Sequence, residues 1–429
     1  MSKLKELIER LCPDGVKYKP LGELGTFERG NGLQKKDFTE NGVGCIHYGQ
    51  IYTYYSTFAT ETKSFVSEEL ANKLLHIFPG NLVIACTSEN VEDIGKAVAW
   101  LGTESIVTGG HSVVFRHSLN PKYVAYFFQT ENFFIQKKKF AFGAKVIDIK
   151  AADLAKIVIP VPPIEVQEEI VRILDRFSDY AASLQAELQA RKEQYEYYRN
   201  LLLTFNPSAC DFGTDGEQEI KVTTCGGGNY EVIWKTMGEI GKFIRGKRFV
   251  RTDIVEHGIP CIHYGDMYTH YGLYASETPG YINEEIAKKM RFAEKNDVII
   301  VAAGENKEDL GNALAWLGDE PAAVHDACFI FKSEMNPNYL SHVCRTRNYH
   351  KQVRKFANEA KICSVSGADL SKVVIPLPPY ELQVKIASIL DRFETLVNDL
   401  TQGLPAEIAA VRERYEYYRN KLLTFKRIA

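Results

Sequence analysis

The sequence contains no C-x-x-C pair, and its nine cysteines are odd in number and scattered. That argues against a disulfide framework or a zinc site and for a reducing, cytoplasmic setting. No apolar run is long enough to span a bilayer, and no signal-peptide pattern stands at the start. Neither a membrane nor secretion is therefore expected. Neither charge is in large excess: 52 Lys and Arg oppose 55 Asp and Glu, a formal net charge of −3. Nothing global draws this chain to nucleic acid, but a local basic stripe is still open to it. No glycine-rich loop for S-adenosylmethionine follows a strand. Gly226-Gly227-Gly228 has no Lys, Ser or Thr after it, so it reads as a linker and not a phosphate loop.

What the sequence does have is a long repeat. Cys45-Ile46-His47-Tyr48-Gly49 returns as Cys261-Ile262-His263-Tyr264-Gly265, a shift of 216 positions. Gly22-Glu23-Leu24-Gly25, Ala99-Trp100-Leu101-Gly102 and Asn120-Pro121 return at the same shift. A period this long is a duplicated domain, not a solenoid. Leu82–Cys86, Ser112–Phe115 and Ile157–Val161, with their copies, read as strands. Tyr123–Thr130 and Asn132–Phe140 read as helices. Each copy is an α+β globule.

Each globule feeds a long helix. Ile159–Phe177 (IPVPPIEVQEEIVRILDRF) returns as Ile375–Phe393 (IPLPPYELQVKIASILDRF). The prolines end whatever precedes them, and Glu165 and Glu381 suit the positive end of a helix dipole. Val166, Ile170, Ile173, Phe177, Tyr180, Leu184 and Leu188 then recur in steps of three and four, as in a coiled-coil seam. The second copy reads Leu382, Ile386, Ile389, Phe393, Leu396 and Leu400. At 1.5 Å per residue, Ile164 to Phe205 would span roughly 60 Å. The helices close on YEYYRNLLLTF at Tyr195–Phe205 and YEYYRNKLLTF at Tyr415–Phe425, a shift of 220. The added residues fall near Gly403-Leu404-Pro405, which should break or kink the second helix. The expected order is a short amphipathic helix (Met1–Leu11) and lead-in up to residue 20, a globule (21–163), a helix (164–205), a linker (206–236), a second globule (237–379) and a second helix (380–425).

Globule, PxPPxExQ and coiled-coil helix, in that order and twice over, resemble the specificity (S) subunits of type I restriction-modification systems. So do Gly143–Ile170 and Gln402–Leu423 taken singly. The resemblance covers nearly the whole chain. It implies two target-recognition domains, each reading one half of a bipartite, asymmetric DNA site. They would be separated by a pair of long antiparallel helices with pseudo-twofold symmetry. It further implies docking of two methyltransferase subunits, which carry the S-adenosylmethionine and modify one adenine per strand, and of restriction subunits. The chain itself would be non-catalytic and hold no cofactor. The first helix departs from the second in lacking the Gly-Leu-Pro segment, so less exact symmetry is expected.

Candidate DNA contacts fall at matching positions. Arg29, Lys35 and Lys36 answer Arg245, Lys247, Arg248 and Arg251, and a repeated basic cluster suits phosphate. Lys145 and Lys361 are a further pair. His47, Tyr48, Gln50 and Tyr52 answer His263, Tyr264, Asp266 and Tyr268. Such residues stack on bases and sugars or bond phosphates; alternatively, they close a strand end and pack inward. Asn90 and Asn306 suit adenine and sit among carboxylates (Glu89, Glu92, Asp93 and their copies) that favour a recognition or structural loop over a metal site. Lys137-Lys138-Lys139 reads as a solvated helix face. Tyr195, Tyr198, Arg199, Tyr415, Tyr418 and Arg419, in the most closely matched stretches, are expected to meet the partner subunits.

Three other readings are weaker. Leu377-Pro378-Pro379-Tyr380 mimics the (N/D)PPY of amino-methyltransferases, but Leu377 cannot accept from an amine. Glu61-Thr62-Lys63 mimics a nuclease ExK, but its copy is Glu277-Thr278-Pro279. The alternative of another class is a two-domain scaffold that binds proteins and not DNA.

Overall fold

The computed structural model describes residues 2–205, 219–223, 229–358, 362–399 and 401–428. They form two compact units: Met1–Leu184 with Ile408–Ala429, and Gln185–Glu407. Each therefore combines one globule with the end of the helix that follows the other globule.

In the first unit a five-stranded sheet runs in the order Gly25–Arg29, Ser112–His117, Leu82–Ala85, Ala97–Trp100, Phe58–Ala59. It is antiparallel except for the last pair. A four-stranded sheet of Ser64–Val66, Val43–Ile46, Ile106–Thr108 and Leu75–Ile77 accompanies it. Strand Leu82–Ala85 is buried on both faces, which is why its sequence is an unbroken apolar run. The second unit repeats the main sheet with Gly241–Arg245, Cys328–Ser333, Val298–Val301, Ala313–Trp316 and Tyr274–Ala275. The register is the same: Phe115 opposes Phe27, and Phe331 opposes Phe243.

The PxPPxExQ stretch is a latch. Val158–Val161 pairs antiparallel with Lys17–Pro20, so its proline sits on a two-stranded edge where no ladder donor is missed. Gln167 is buried at the start of the long helix. Its Oε1 accepts from Asn120 N (3.0 Å) and its Nε2 donates to Pro162 O (2.8 Å). Gln383 does the same with Asn336 N (2.9 Å) and Pro378 O (2.8 Å). Glutamine suits both tasks because its amide donates and accepts at once.

The first long helix is continuous over Ile164–Thr204, 41 residues. The second is in two pieces, Tyr380–Asn398 and Leu404–Leu422. The break falls where the inserted residues place it. Asp399 Oδ1 accepts from Thr401 N (2.7 Å) and Gln402 N (3.2 Å), and Pro405 opens the second piece. At Gly403 a Cβ would lie 2.4 Å from Thr395 O, so only glycine fits that closely against the first piece.

The buried stripe differs from the expected seam. Leu174 and Leu390 are fully buried, whereas Ile389 is 46% and Tyr180 48% exposed. Val166, Ile170 and Leu174 lie four apart and join the first globule's core. Packing on a globule follows the 3.6-residue turn, so these stretches do not keep a strict heptad. Leu400 lies outside the described residues. Within the first unit Phe177 stacks on Tyr418 (5.5 Å), and Leu423 reaches the cluster of Val166 and Ile170, so these helices run antiparallel.

Ser2–Leu11 is helical as expected, with Leu4 and Leu7 in the core. The stretch read as linker carries two strands: Glu219–Thr223 pairs with Asn229–Thr236, which pairs with Val374–Leu377. Alternating Ile220, Val222, Val232 and Trp234 supply the strand pattern that the neighbouring glycines obscured. Those glycines lie outside the described residues. No helix among the described residues is long and apolar enough to cross a membrane.

Candidate nucleic-acid interface

In the first unit the predicted residues form one connected surface. His47 is buried and opens the short helix Tyr48–Thr53, its Nδ1 accepting from Gly49 N (3.2 Å). Burial, with Lys35 and His111 adding to it, holds His47 below its ordinary pKa, so a neutral ring is free to accept that bond. Gln50 is tied at both ends, to His47 N (3.1 Å) and Ser64 Oγ (2.7 Å). Tyr52 donates to Thr87 O (2.8 Å). Tyr48 packs between His47 (4.5 Å) and His111 (4.7 Å), and His111 Nδ1 meets Thr87 Oγ1 at 2.9 Å. Arg29 joins from the sheet edge, donating from Nε to Gly110 O (3.1 Å) and pairing with Asp148 (2.8 Å). Lys35 and Lys36 are exposed on a turn beside Phe38, whose ring meets His47. Lys145 is exposed on the loop ahead of Asp148. Asn90 closes a turn on Asp93 through both its amide atoms (2.7 and 2.8 Å).

The second unit keeps this frame and changes its chemistry. His263 and its bond from Gly265 N (3.2 Å) repeat His47, and burial again lowers its pKa. Arg245 Nε donates to Asp326 O (3.0 Å) as Arg29 does to Gly110. Its counterpart of Asp148 is Ser364, however, so the carboxylate is gone. Lys247, Arg248 and Arg251 are exposed beside it. Gly304, in place of Ser88, leaves room for Tyr268, whose hydroxyl would lie 2.8 Å from a Cβ there. Asp266, in place of Gln50, is half-buried, Tyr264 is partly exposed, and Asn306 faces Asp309 (3.3 Å). Lys361 lies outside the described residues.

Aligning the two halves missed the histidines opposite these tyrosines. His325 sits 4.7 Å from His263 and 5.1 Å from Tyr264, doing in the second unit what His111 does in the first. Its aligned partner is Gly109, not His111, so a position-by-position match hides the equivalence. Lys137 is not part of a solvated face. It is 4% exposed, and its Nζ donates to Glu92 O (2.8 Å) and Ile94 O (2.6 Å). Burial lowers its pKa to about 8. Val353 in the same place faces inward too; Lys138 and Lys139 alone are the solvated part. Among the described residues no group of three or more His, Cys, Asp or Glu could hold a metal ion.

The residues expected to meet partners are largely turned onto their own unit. Tyr415 OH and Arg419 Nη1 both donate to Gln129 Oε1 (3.1 and 3.4 Å), and Tyr418 stacks on Phe177. In the second unit Tyr195 OH lies 3.2 Å from His342 Nδ1, Tyr198 stacks on Phe393 (5.8 Å), and Arg199 lies over Tyr195 (5.2 Å). Between them, Tyr197 and Tyr417 are 63% and 57% exposed.

A family model described as "Type I restriction modification DNA specificity domain" matches residues 13–193 and again 231–410. The chain belongs to that family. It is 32% identical over 287 residues to the EcoR124I/EcoR124II specificity subunit of a type I restriction enzyme from Escherichia coli. That match spans 63% of this chain and 63% of the relative, somewhat under two thirds of its length. It is 28% identical over 338 residues to S.HindORF215P of Haemophilus influenzae, covering 73% and 75%. Among solved structures it is similar to a chain from a study of assembly and conformational transition of the type I R-M system. There the TM-score is 0.59 at 15% identity, covering 96% and 98%. The HsdS subunit from Thermoanaerobacter tengcongensis gives 0.50 at 15%, covering 97% and 99%. At that identity the likeness concerns the fold, and it spans both repeats of the specificity family.

Proposed function

We propose that this chain is the non-catalytic, DNA-reading subunit of a type I restriction-modification complex. Each globule binds one half of a bipartite, asymmetric site in double-stranded DNA. One observation carries the reading: at matching positions the two units hold the same His-Tyr frame but line it with different, buried or half-buried groups. Gln50 matches Asp266 in the sequence alignment of the two halves, Thr87-Ser88 match Ala303-Gly304, and Asp148 matches Ser364. Amides, hydroxyls and carboxylates differ in what they donate and accept, so the units discriminate different base edges. The exposed Arg and Lys at the rim supply phosphate contacts that hold the register.

The helices dock two methyltransferase subunits, which bring S-adenosylmethionine, and restriction subunits join that complex. The outward side of the repeated tyrosine stretch, Tyr197 and Tyr417, supports this docking. Tyr195, Tyr198, Arg199, Tyr415, Tyr418 and Arg419 hold the helix beneath that surface.

Mapping methylated adenines in a strain with and without this chain tests the reading. The expected result is an interrupted, non-palindromic motif that disappears with the chain. One continuous motif, or an unchanged methylation pattern, would overturn it.

A further inference from the structure

Where the end of the long helix meets the second globule, the two units differ in charge. In the first unit Arg419 has an uncharged acceptor, Gln129. In the second unit the matching position is Arg345, which therefore stands with Arg199 and not with an acceptor. The compensating change is Ser178 to Glu394. Arg199, Arg345 and Glu394 line a cavity of about 360 Å³ with Tyr195, and Glu394 is the one carboxylate among its lining residues. Two guanidiniums against one carboxylate leave an excess positive charge.

The cations are poorly satisfied. Nε of Arg199 is buried without a hydrogen-bond partner, as Nε of Arg419 is in the first unit; Nε of Arg345 is a second such donor, present in the second unit alone. Arg345 Nη2 reaches only Gly272 O, at 3.4 Å. Burial lowers the Arg345 pKa, and Arg199 adds to the lowering while Glu394 opposes it, so the two cations feel each other. A buried guanidinium lacking partners is costly, and an oxyanion with several acceptors is what two facing forks accommodate.

We propose that this cavity binds an oxyanion of the phosphate class, bridging Arg199 on the long helix and Arg345 on the globule. Occupancy relieves the repulsion between them and ties the end of the helix to the second globule. The first unit, with Gln129 in place of the second arginine, has no such site.

Titration calorimetry of the full chain with inorganic phosphate, against chloride at equal ionic strength, tests this. The wild type should bind phosphate saturably and melt at higher temperature in its presence. Arg345→Gln installs the residue that the first unit already carries there. It should weaken binding by ~10-fold or more, as loss of a charged hydrogen bond does. Glu394→Gln removes the competing carboxylate and should tighten binding, a change opposite in sign to structural damage. No saturable binding in the wild type, equal binding in Arg345→Gln, or no tightening in Glu394→Gln would each overturn the proposal. A DNA duplex that displaces the phosphate would identify the oxyanion's source as the DNA backbone, and one that does not would identify it as a free ion.

Discussion

Arg29 and Arg245 hold the same place in two copies of one sheet. Each donates through Nε to the backbone carbonyl at the same turn. Arg29 is then neutralised by Asp148 at 2.8 Å, whereas the second unit has Ser364 at the position matching Asp148 and carries Lys247, Arg248 and Arg251 exposed close to Arg245 in the chain. The backbone frame was kept and the charge on it was changed. The two units should therefore differ in how much of their DNA affinity is electrostatic, the second depending more on salt.

The largest break in that comparison comes from the second unit's cations. Replacing Arg245, Lys247, Arg248 and Arg251 by Ala should lower the slope of log K against log[salt] by ~0.9 for every phosphate that is no longer neutralised. Replacing Arg29, Lys35 and Lys36 should cost less, because Arg29 is already paired. Fluorescence anisotropy across a salt series reads both, and equal changes in slope would erase the distinction.

Next in size is the helix joint. Tyr195→Phe leaves Nδ1 of the buried His342 without its partner, at a cost of about 1–3 kcal/mol. Tyr415→Phe, at a less buried joint, should cost less. Urea melts of the two variants give the difference directly. A smaller effect tests the charge exchange itself. Asp148→Asn should free Arg29 and steepen the salt dependence, while Ser364→Asp should flatten it, each by ~0.9 in slope.

A further difference is a pH dependence confined to one unit. Lys137 has a folded pKa of about 8 against an ordinary 10.5. The folded chain therefore binds fewer protons between those values, and stability rises with pH there. Below pH 8 both states are protonated and the full penalty of burying the charge applies. Lys137→Met should remove the rise, measured as the change in melting temperature from pH 8 to 10.5. Val353 gives the second unit no such dependence.

Much of this was legible in the sequence because repetition exposes what a single copy hides. The core strands Leu82–Ala85 and Ser112–His117, the strand Val158–Val161 ahead of the long helix and the break at Gly403 each announced themselves through apolar runs, proline or an insertion. Lys137 did not, because a lysine donating to backbone carbonyls looks like any surface lysine until the fold supplies them. The inward turn of Tyr195 and Arg199 was hidden for a related reason. Two identical stretches suggest a shared partner, and the sequence does not say that the partner is the chain's own globule. His111 and His325 were missed because the same ring position is reached from different backbone positions.

The helix ends that complete each unit also set an order of events during synthesis. Tyr18 OH donates to Phe425 O at 2.9 Å, and Ile428 N to Val16 O at 3.1 Å. Lys17–Pro20 can pair with Val158–Val161 early, but the contacts of Val16 and the Tyr18 hydroxyl wait for the residues from Phe425 to Ile428. At 5–20 residues per second, that delay is roughly 20 to 80 s. The second unit finds its helix end already made. The globule translated first is therefore the last to close, and until then its waiting edge is open to chaperones and to stray strands.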